Sequence, residues 1–272
     1  MKKDWKSPRS RADVEKQIPL QYQQKDRETQ ERRELTFLLQ ECAFSQHIPV
    51  YCAIDAEEVT PEERQLLQQA AQSRGSAMTV RGAIVLGTNI REMFLFAEQG
   101  VPETQGIRQT TAAQLIAENY LLRYRELLEI QGYQTIIVEP EVMPDPELAV
   151  LLSVCHKGAA GRNSRFIAGA YGQRVCCGMI LTDAPLMGGD YRFPDYPQDI
   201  CRRLCGSDDN GSALQSPCIA ACPAGAFRQE GERVLFQKDV CSAWRDDPEN
   251  QEQVDAFTVR KCMKCMEACP AH

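Results

Sequence analysis

Apolar and polar positions repeat with different periods along the chain, and each period predicts an element. LTFLLQECAF, which begins at Leu35, has the spacing of an amphipathic helix, and IPVYCAI, which begins at Ile48, is typical of a strand. The letters TPEE from Thr60 form a capping box with proline at the first helical position, which predicts a helix through about Gln72. The continuous apolar run GAIVLGT at 82–88 has the length of a buried strand.

A long amphipathic helix is predicted next, from Thr111 to Gln131, and Gly132 ends it. Its apolar face consists of Leu115, Ile116, Tyr120, Leu121, Tyr124, Leu127 and Leu128. TIIVEPE then predicts a strand, and Asp145-Pro146 predicts the start of a helix through about His156. A glycine-rich loop at 158–161 follows, with two short strands around Tyr171-Gly172. Because helices and strands alternate, we predict an α/β domain.

Composition changes the picture at both ends of this domain. The chain has 272 residues, of which 43% are hydrophobic, so it can bury one large core or one core with a small module. Residues 1–34 are almost all polar with mixed charge, which predicts an arm or an exposed helix. We therefore predict an N-terminal arm at 1–34, an α/β domain at 35–195 and a separate small domain at 196–272.

Charge and targeting signals limit the class of protein. The formal net charge of −7 argues against nucleic-acid binding as the main activity. No apolar run approaches the length that spans a bilayer, and the N-terminus MKKDWKSPRSRADVEKQ has no signal-peptide pattern. The sequence thus predicts a soluble cytoplasmic protein with no membrane partner.

The last quarter of the chain carries the strongest chemical signal, which is eight cysteines in two rows. Each row closes with Cys-Pro, at Cys222-Pro223 and at Cys269-Pro270. The first row is Cys201, Cys205, Cys218 and Cys222, and the second is Cys241, Cys262, Cys265 and Cys269. Disulfide bonds among these cysteines are disfavoured, because dense disulfides are typical of small secreted domains and this N-terminus has no signal-peptide pattern. Zinc is the stronger alternative, but zinc ribbons use two C-x2-C pairs, and only Cys262 and Cys265 have that spacing.

The two rows resemble the bacterial two-cluster ferredoxin pattern, in which the fourth cysteine of each run ligates the other cluster. The resemblance implies a first thiol group that holds one [4Fe–4S] cluster and a second thiol group that holds another. The first thiol group is Cys201, Cys205, Cys218 and Cys269. The second thiol group is Cys222, Cys241, Cys262 and Cys265. The crossing would make the two halves fold as one unit.

Two inserts depart from that pattern. Twelve polar, turn-rich residues, GSDDNGSALQSP, separate Cys205 from Cys218 and predict a surface loop. Twenty residues separate Cys241 from Cys262 and predict a loop followed by a helix. Both inserts are tolerable because the free energy of loop closure rises slowly with length.

The stretch before the cysteines carries a second resemblance. It contains Ala160-Gly161-Arg162-Asn163 after Gly158, then Tyr171-Gly172, then GMILTD at 178–183. This order, which leads directly into the cysteine rows, resembles the cobalamin-domain signature of epoxyqueuosine reductases and the related reductive dehalogenases. The match runs from about Thr110 to the C-terminus.

That resemblance implies a nitroreductase-like α/β domain followed by a small C-terminal ferredoxin-like domain with two [4Fe–4S] clusters. Gly158, Gly161, Arg162 and Asn163 would face a corrinoid, although the glycines could equally serve as turns between elements. Electrons would come from a low-potential donor of the ferredoxin or flavodoxin type. They would pass to a corrinoid or to a small-molecule substrate.

The resemblance also bears on catalysis and on substrate. An aspartate donates a proton in epoxyqueuosine reductases, and Asp145 is the nearest match, although its position before Pro146 also suits a helix cap. The chain ends soon after Cys269, without the helical-repeat tail that many family members use to hold tRNA. This truncated form, together with the acidic charge, predicts that tRNA is not the substrate.

Other residues and functions stay open. His156 could reach a cofactor or could be a polar helix end, and Cys155 with Cys176-Cys177 could be a redox or metal site or buried apolar residues. In a strand, Cys176 and Cys177 would point to opposite faces. One alternative function is a ferredoxin-like electron-transfer partner without chemistry of its own. Another is a protein that reduces or loads a corrinoid for a different enzyme.

Overall fold

A computed structural model describes most of the chain. The described residues are 20–90, 106–141, 145–169, 171–189, 195–206, 215–230, 233–255, 258–260 and 262–271. The first nineteen residues of the predicted arm lie outside this range, as does most of the predicted surface loop at 206–217.

The helices and strands up to residue 182 alternate as the sequence predicts. In chain order they are α1 (Leu20–Ser45), β1 (Val50–Asp55), α2 (Pro61–Gln72), β2 (Gly82–Asn89), α3 (Gly106–Ile130), β3 (Thr135–Val138), α4 (Pro146–Ser153), β4 (Gly158–Ala160), β5 (Phe166–Ala168) and β6 (Val175–Thr182). The fold is therefore mixed α/β. The nitroreductase-like and ferredoxin-like assignments stay predictions.

The central sheet has four strands in the order β1-β2-β6-β3, and each neighbouring pair is antiparallel. β1 and β2 pair from Val50–Gly87 to Asp55–Gly82, and β2 and β6 pair along their full length. β3 forms one edge of this sheet. A separate short hairpin consists of β4 and β5.

Helices cover both faces of the sheet, which explains why its strands are continuous apolar runs. Leu39 of α1 and Tyr124 of α3 pack with Ile84 and Ile180 on one face. Leu67 of α2 and Leu152 of α4 belong to the core on the opposite face, which also contains Val85 and Met179. Leu115, predicted on the buried face of α3, is instead 60% exposed.

Local capping residues set the starts of two helices. The side chain of Thr60 accepts the N–H of Glu63, and the Glu63 carboxylate accepts the N–H of Thr60, so the predicted capping box is present. Asp145 caps α4 through the N–H of Leu148 at 2.9 Å. The helix ends at Ser153, earlier than predicted, and His156 has a φ of +57°.

The first helix continues from Leu20 through Ser45 without a break at residue 34, so the predicted arm and domain join within one helix. Arg32 fixes this helix to the sheet, because it pairs with the buried Asp55 and donates to the Leu186 carbonyl at 3.0 Å. The arm boundary stays a prediction.

Short elements make up the cysteine-rich region. They are α5 (Ile200–Cys205), α6 (Pro217–Ala220), β7 (Phe227–Glu230), β8 (Arg233–Phe236), α7 (Lys238–Asp246), a 3-10 turn (Pro248–Asn250), β9 (Glu252–Asp255), β10 (Thr258–Arg260) and α8 (Lys264–Glu267). β9 and β10 occupy part of the insert between Cys241 and Cys262, where the sequence predicted a loop and a helix. Across the described residues, none of the helices is both long and apolar enough to cross a membrane.

Candidate functional site

The cysteine-rich region packs around an apolar cluster that includes five of the eight thiol-bearing residues. Short helices position several of them: Cys218 lies on α6 and Cys265 on α8, and these two helices contact each other. The cluster residues with sulfur are Cys201, Cys218, Cys222, Cys265 and Cys269. All thirteen cysteines of the chain, which fall within the described residues, are free thiols rather than disulfides.

The thiols of the predicted first group raise one another's pKa. Burial, followed by the neighbouring thiols of Cys269, Cys201 and Cys205, raises the pKa of Cys218 to about 12, and Cys265 adds a smaller effect. Burial raises the pKa of Cys269 as well, and the thiols of Cys201 and Cys205 act in the same direction. These four thiols therefore lie near one another.

The second thiol group behaves in the same way. Burial raises the pKa of Cys265 to about 11, and the thiols of Cys262, Cys241 and Cys222 also raise it. Burial raises the pKa of Cys241, and Cys222 and Cys262 add to the increase. Cys222 therefore acts on thiols of the second row of the sequence, and Cys269 acts on a thiol of the first, while the two ligand sets stay predictions.

The eight thiols are grouped but not gathered around a single point. Within the described ranges, no three His, Cys, Asp or Glu side chains converge closely enough to hold one metal ion. Main-chain N–H groups do reach the sulfurs: those of Arg162 and Ala271 bond Cys201 and Cys269, and that of Ala226 lies 3.4 Å from Cys222 Sγ. Hydrogen bonds of this kind to cluster sulfurs are one of the ways by which proteins set reduction potentials.

The segment predicted to face a corrinoid lies against this region. Arg162 donates to Ser216 Oγ at 2.9 Å and to the Gly206 carbonyl at 3.4 Å. Asn163 is fully buried, exchanges two 2.8 Å hydrogen bonds with Gln173, and donates to the Cys265 carbonyl at 3.3 Å. These two residues connect the α/β region to the cysteines.

The glycines of this segment are packed by protein atoms. Gly158 begins β4 rather than a loop, and a Cβ there would stand 2.3 Å from the Phe166 ring. A Cβ on Gly161 would stand 2.8 Å from the Asn163 side-chain oxygen. These contacts explain the glycines without a ligand, and the cofactor-binding role of Gly158, Gly161, Arg162 and Asn163 stays a prediction.

A cavity of about 700 Å3 runs beside edge strand β3 and between α2 and α4. Its apolar lining includes Val138, Leu148 and Leu151, and its acidic lining includes Glu139, Glu141, Asp145 and Glu147. A smaller cavity of about 20 Å3, enough for one water molecule, shares Glu141 and Asp145 with it. Asp145 therefore lines both spaces.

A lysine from the cysteine-rich region forms ion pairs with two carboxylates that line the cavity. Lys238 Nζ lies 3.2 Å from Asp145 Oδ2 and 3.8 Å from Glu141 Oε2. The hydrogen bond with Asp145, followed by the charge of Glu141, raises the pKa of Lys238. Lys238 begins α7, which also carries Cys241, so these carboxylates are tied to the helix of a second-group cysteine.

The remaining candidates occupy structural positions. His156 Nε2 lies 2.9 Å from Glu63 Oε1, so its ring contacts the capping box of α2. A hydrogen bond from the Cys52 thiol lowers the pKa of Cys155 against the opposing effect of burial, and Cys52 Sγ also lies 3.6 Å from the Cys155 carbonyl oxygen. Cys176 and Cys177 point to opposite faces, as predicted, since they belong to different core clusters.

The buried pair Cys176 and Cys177 should resist alkylation in the folded protein. Burial raises the pKa of Cys176 to about 12 although Arg165 lowers it, and burial raises that of Cys177 well above 9.0. At pH 9 we expect Cys176 to react about 500-fold more slowly with iodoacetamide than an unshifted thiol, because only the thiolate reacts. Residue-resolved mass spectrometry after timed labelling measures this rate.

Cys42, which is partly exposed on α1, is the internal control for this labelling. Equal labelling rates at Cys42 and Cys176 would contradict the prediction. The same raised pKa has a stability consequence: between pH 9 and 12 the unfolded thiol loses its proton first, so the unfolding free energy falls as pH rises.

Comparisons with known proteins decide the fold. No protein-family model and no curated protein matches the chain. The Bacillus subtilis epoxyqueuosine reductase, in a structure with its catalytic aspartate loop swung out of the active site, matches 88% of this chain and 66% of its own at 14% identity, with a TM-score of 0.50. A selenomethionine-labelled epoxyqueuosine reductase matches the same shares at 13% identity and a TM-score of 0.50. The chain has the epoxyqueuosine reductase fold.

The epoxyqueuosine reductase fold confirms the resemblance stated from sequence, at the level of architecture. The chain covers 65–66% of the length of the epoxyqueuosine reductases it matches. For this chain, the activity, substrate and partners of a whole epoxyqueuosine reductase are therefore proposals only.

One sequence-based expectation is wrong, namely that tRNA is excluded as a substrate. An epoxyqueuosine reductase in complex with an epoxyqueuosine-modified tRNA stem loop is among the matches, at 13% identity and a TM-score of 0.48, over 88% of this chain and 65% of that one. The net charge of −7 sums over the whole chain and does not describe any one surface, and the position of the C-terminus carries no weight.

Sequence reasoning missed three residues of this site: Arg165, Lys238 and Glu141. Arg165 is buried, at 7% exposure, and lines the smaller cavity with Glu141 and Asp145. Nothing local in the sequence marks Arg165 as buried, because arginine side chains are mostly exposed. Nothing local in the sequence indicates that Lys238 would meet Asp145, 93 residues away.

Proposed function

We propose that the chain is an iron–sulfur reductase of the epoxyqueuosine reductase type, whose eight cysteines hold two [4Fe–4S] clusters. The grouping of the thiols supports this most directly, because Cys222 neighbours the second row and Cys269 the first, within an epoxyqueuosine reductase fold. When bound, the clusters supply single electrons at low potential.

The donor set fits such clusters. Each thiolate of a [4Fe–4S] cluster binds a different iron, so four sulfurs surround a larger body than one ion. Thiols that neighbour one another without converging on one point suit that arrangement. Apolar packing around Cys218 and Cys269 excludes water from the first thiol group, and the N–H groups of Arg162 and Ala271 stabilise its sulfurs.

The cavity beside β3 is the proposed substrate site. Its volume of about 700 Å3 falls in the range of small-molecule pockets. Asp145 lines the cavity and is oriented by Leu148 N–H and Lys238 Nζ, and once its carboxylate has taken up a proton it would donate that proton during reduction. Apolar contacts from Val138 and Leu151 would hold the ligand.

A corrinoid has weaker support from this chain's residues. Three cavities are lined by described residues of the α/β region, and none of these three is lined by Gly158, Gly161, Arg162 or Asn163. The packed glycines leave no observed cradle for a large flat ring, so we derive no catalytic step through a corrinoid. We retain a low-potential ferredoxin or flavodoxin as donor and the cytoplasm as location, both as proposals.

Anaerobic purification with iron, sulfide, zinc and cobalt quantified tests the proposal first. We expect about eight irons per chain. The reduced protein is then offered an epoxyqueuosine-modified stem loop and the free nucleoside, each with and without cob(II)alamin, and product is followed by mass spectrometry. Turnover of either substrate supports the reductase, and the cob(II)alamin EPR signal reports corrinoid binding separately.

Two outcomes would contradict the proposed function. Zinc in place of iron would overturn the cluster assignment. Eight irons without turnover, and without a change in the cobalt signal, would favour the electron-transfer partner that the sequence left open.

A further inference from the structure

Arg165 is a buried cation at the contact between the hairpin β4–β5 and the cysteine-rich region. Arg165 lies between Ser164, which has a φ of +60°, and the first residue of β5. Its carbonyl accepts the N–H of Gly161 at 2.7 Å, and its guanidinium donates to the Gln173 carbonyl at 3.4 Å. The turn thus fixes where the charge lies.

The residues on either side of Arg165 contact both thiol groups. Asn163 donates to the Cys265 carbonyl at 3.3 Å, and Ile167 belongs to the same apolar cluster as Cys269. In keeping with this position, the positive charge of Arg165 acts to lower the pKa of Cys265 and of Cys269, and also that of Cys176 in the α/β core. Two other arginines act on one group each, Arg162 on Cys201 and Arg245 on Cys241. Arg165 therefore differs from both in having a cysteine of each group as a neighbour.

A buried cation shared in this way has a physical consequence for electron uptake. Four thiolates make each cluster anionic, and each added electron increases that negative charge. A nearby positive charge lowers the free-energy cost of the added electron. Because Arg165 is buried, salt screens this effect far less than it screens a surface charge.

We propose that Arg165 is the shared counter-charge of the two clusters and raises the reduction potential of both. This inference rests on the proposed function, since it requires the eight cysteines to hold clusters. Arg165 also lines the smaller cavity together with Glu141 and Asp145, the proposed proton donor.

Potentiometric titration of the purified holoprotein, followed by EPR, tests the proposal with Arg165→Gln. Glutamine removes the charge but can still donate to the Gln173 carbonyl. We expect the ratio of reduced to oxidised cluster at a fixed potential to fall at least tenfold for both clusters, which is about 59 mV for a one-electron couple. The shift should persist at high ionic strength.

Matched variants separate a shared charge from a general disturbance. Arg162→Gln should lower only the potential of the first-group cluster, and Arg245→Gln only that of the second. Arg165→Lys keeps the charge and should restore both potentials toward the wild-type values. A purely structural role for Arg165 would not give this rescue.

Unchanged potentials in Arg165→Gln, or equal falls in Arg165→Gln and Arg165→Lys, would overturn the proposal. If Arg165→Gln loses its iron, the neutral variant Arg165→Met replaces it: lower potentials in both clusters support the proposal, and unchanged potentials or a fall in one cluster alone overturn it. A wild-type protein without iron would instead be a failure of the proposed function.

Discussion

Alanine at both Cys222 and Cys265 should leave about half of the iron in the purified protein, whereas alanine at both Cys222 and Cys218 should remove nearly all of it. The first double variant takes two ligands from the second thiol group and spares the first group. The second double variant takes one ligand from each group. Anaerobic iron and sulfide analysis, with EPR of the reduced protein, measures the difference.

The same experiment tests whether the ligands cross between the two rows. If each row of the sequence held its own cluster, the Cys222 and Cys218 pair would cost one cluster and the Cys222 and Cys265 pair would cost both. That reversed result would contradict the proposed ligand sets, which the pKa effects among the thiols support. Cys42→Ala, which removes a thiol outside both groups, should keep the full iron content.

Asp145→Asn should reduce turnover at least 100-fold while the protein stays folded. Asparagine caps a helix about as well as aspartate, so the N–H of Leu148 keeps a partner and α4 keeps its start. The lost ion pair with Lys238, which is 56% exposed, should cost less than about 1 kcal/mol. Rates of epoxyqueuosine reduction and urea unfolding curves measure the two effects.

Two further variants separate chemistry from capping. Asp145→Ala should match Asp145→Asn in turnover but lose about 1 kcal/mol more of unfolding free energy, because the cap is gone. Glu147→Gln changes another acidic residue of the same cavity and first helical turn, and it should leave turnover near the wild-type value. Normal turnover in Asp145→Asn would show that the residue acts only as a helix cap.

The sequence predicted those elements whose signals are local. Thr60 and Glu63 are three residues apart and form their capping box without help from the rest of the fold. The continuous apolar runs at β2 and β6 predict strands because both faces of the sheet are covered. Asp145 before Pro146 predicted a helix start for the same local reason.

Features that depend on distant contacts could not be predicted in this way. Gly158 and Ala159 have weak strand propensity, and they form β4 because Phe166–Ala168 returns beside them. The order of strands in the sheet follows from pairings between segments far apart in sequence, such as β2 with β6. Arg165 looks like a surface residue in the sequence, and it is buried because residues far along the chain, Cys265 and Cys269 among them, fold close to it.

Asn163 has a consequence for how the protein matures. Its buried amide joins Gln173, in the α/β region, to the main chain at Cys265. Placement of the second thiol group thus depends on a turn that belongs to the other part of the chain. We expect cofactor insertion to be ordered, with the β4–β5 hairpin formed first. Iron-starved cells should then accumulate chains whose sheet is assembled but whose cysteine-rich region, residues 196–272, is open to proteases.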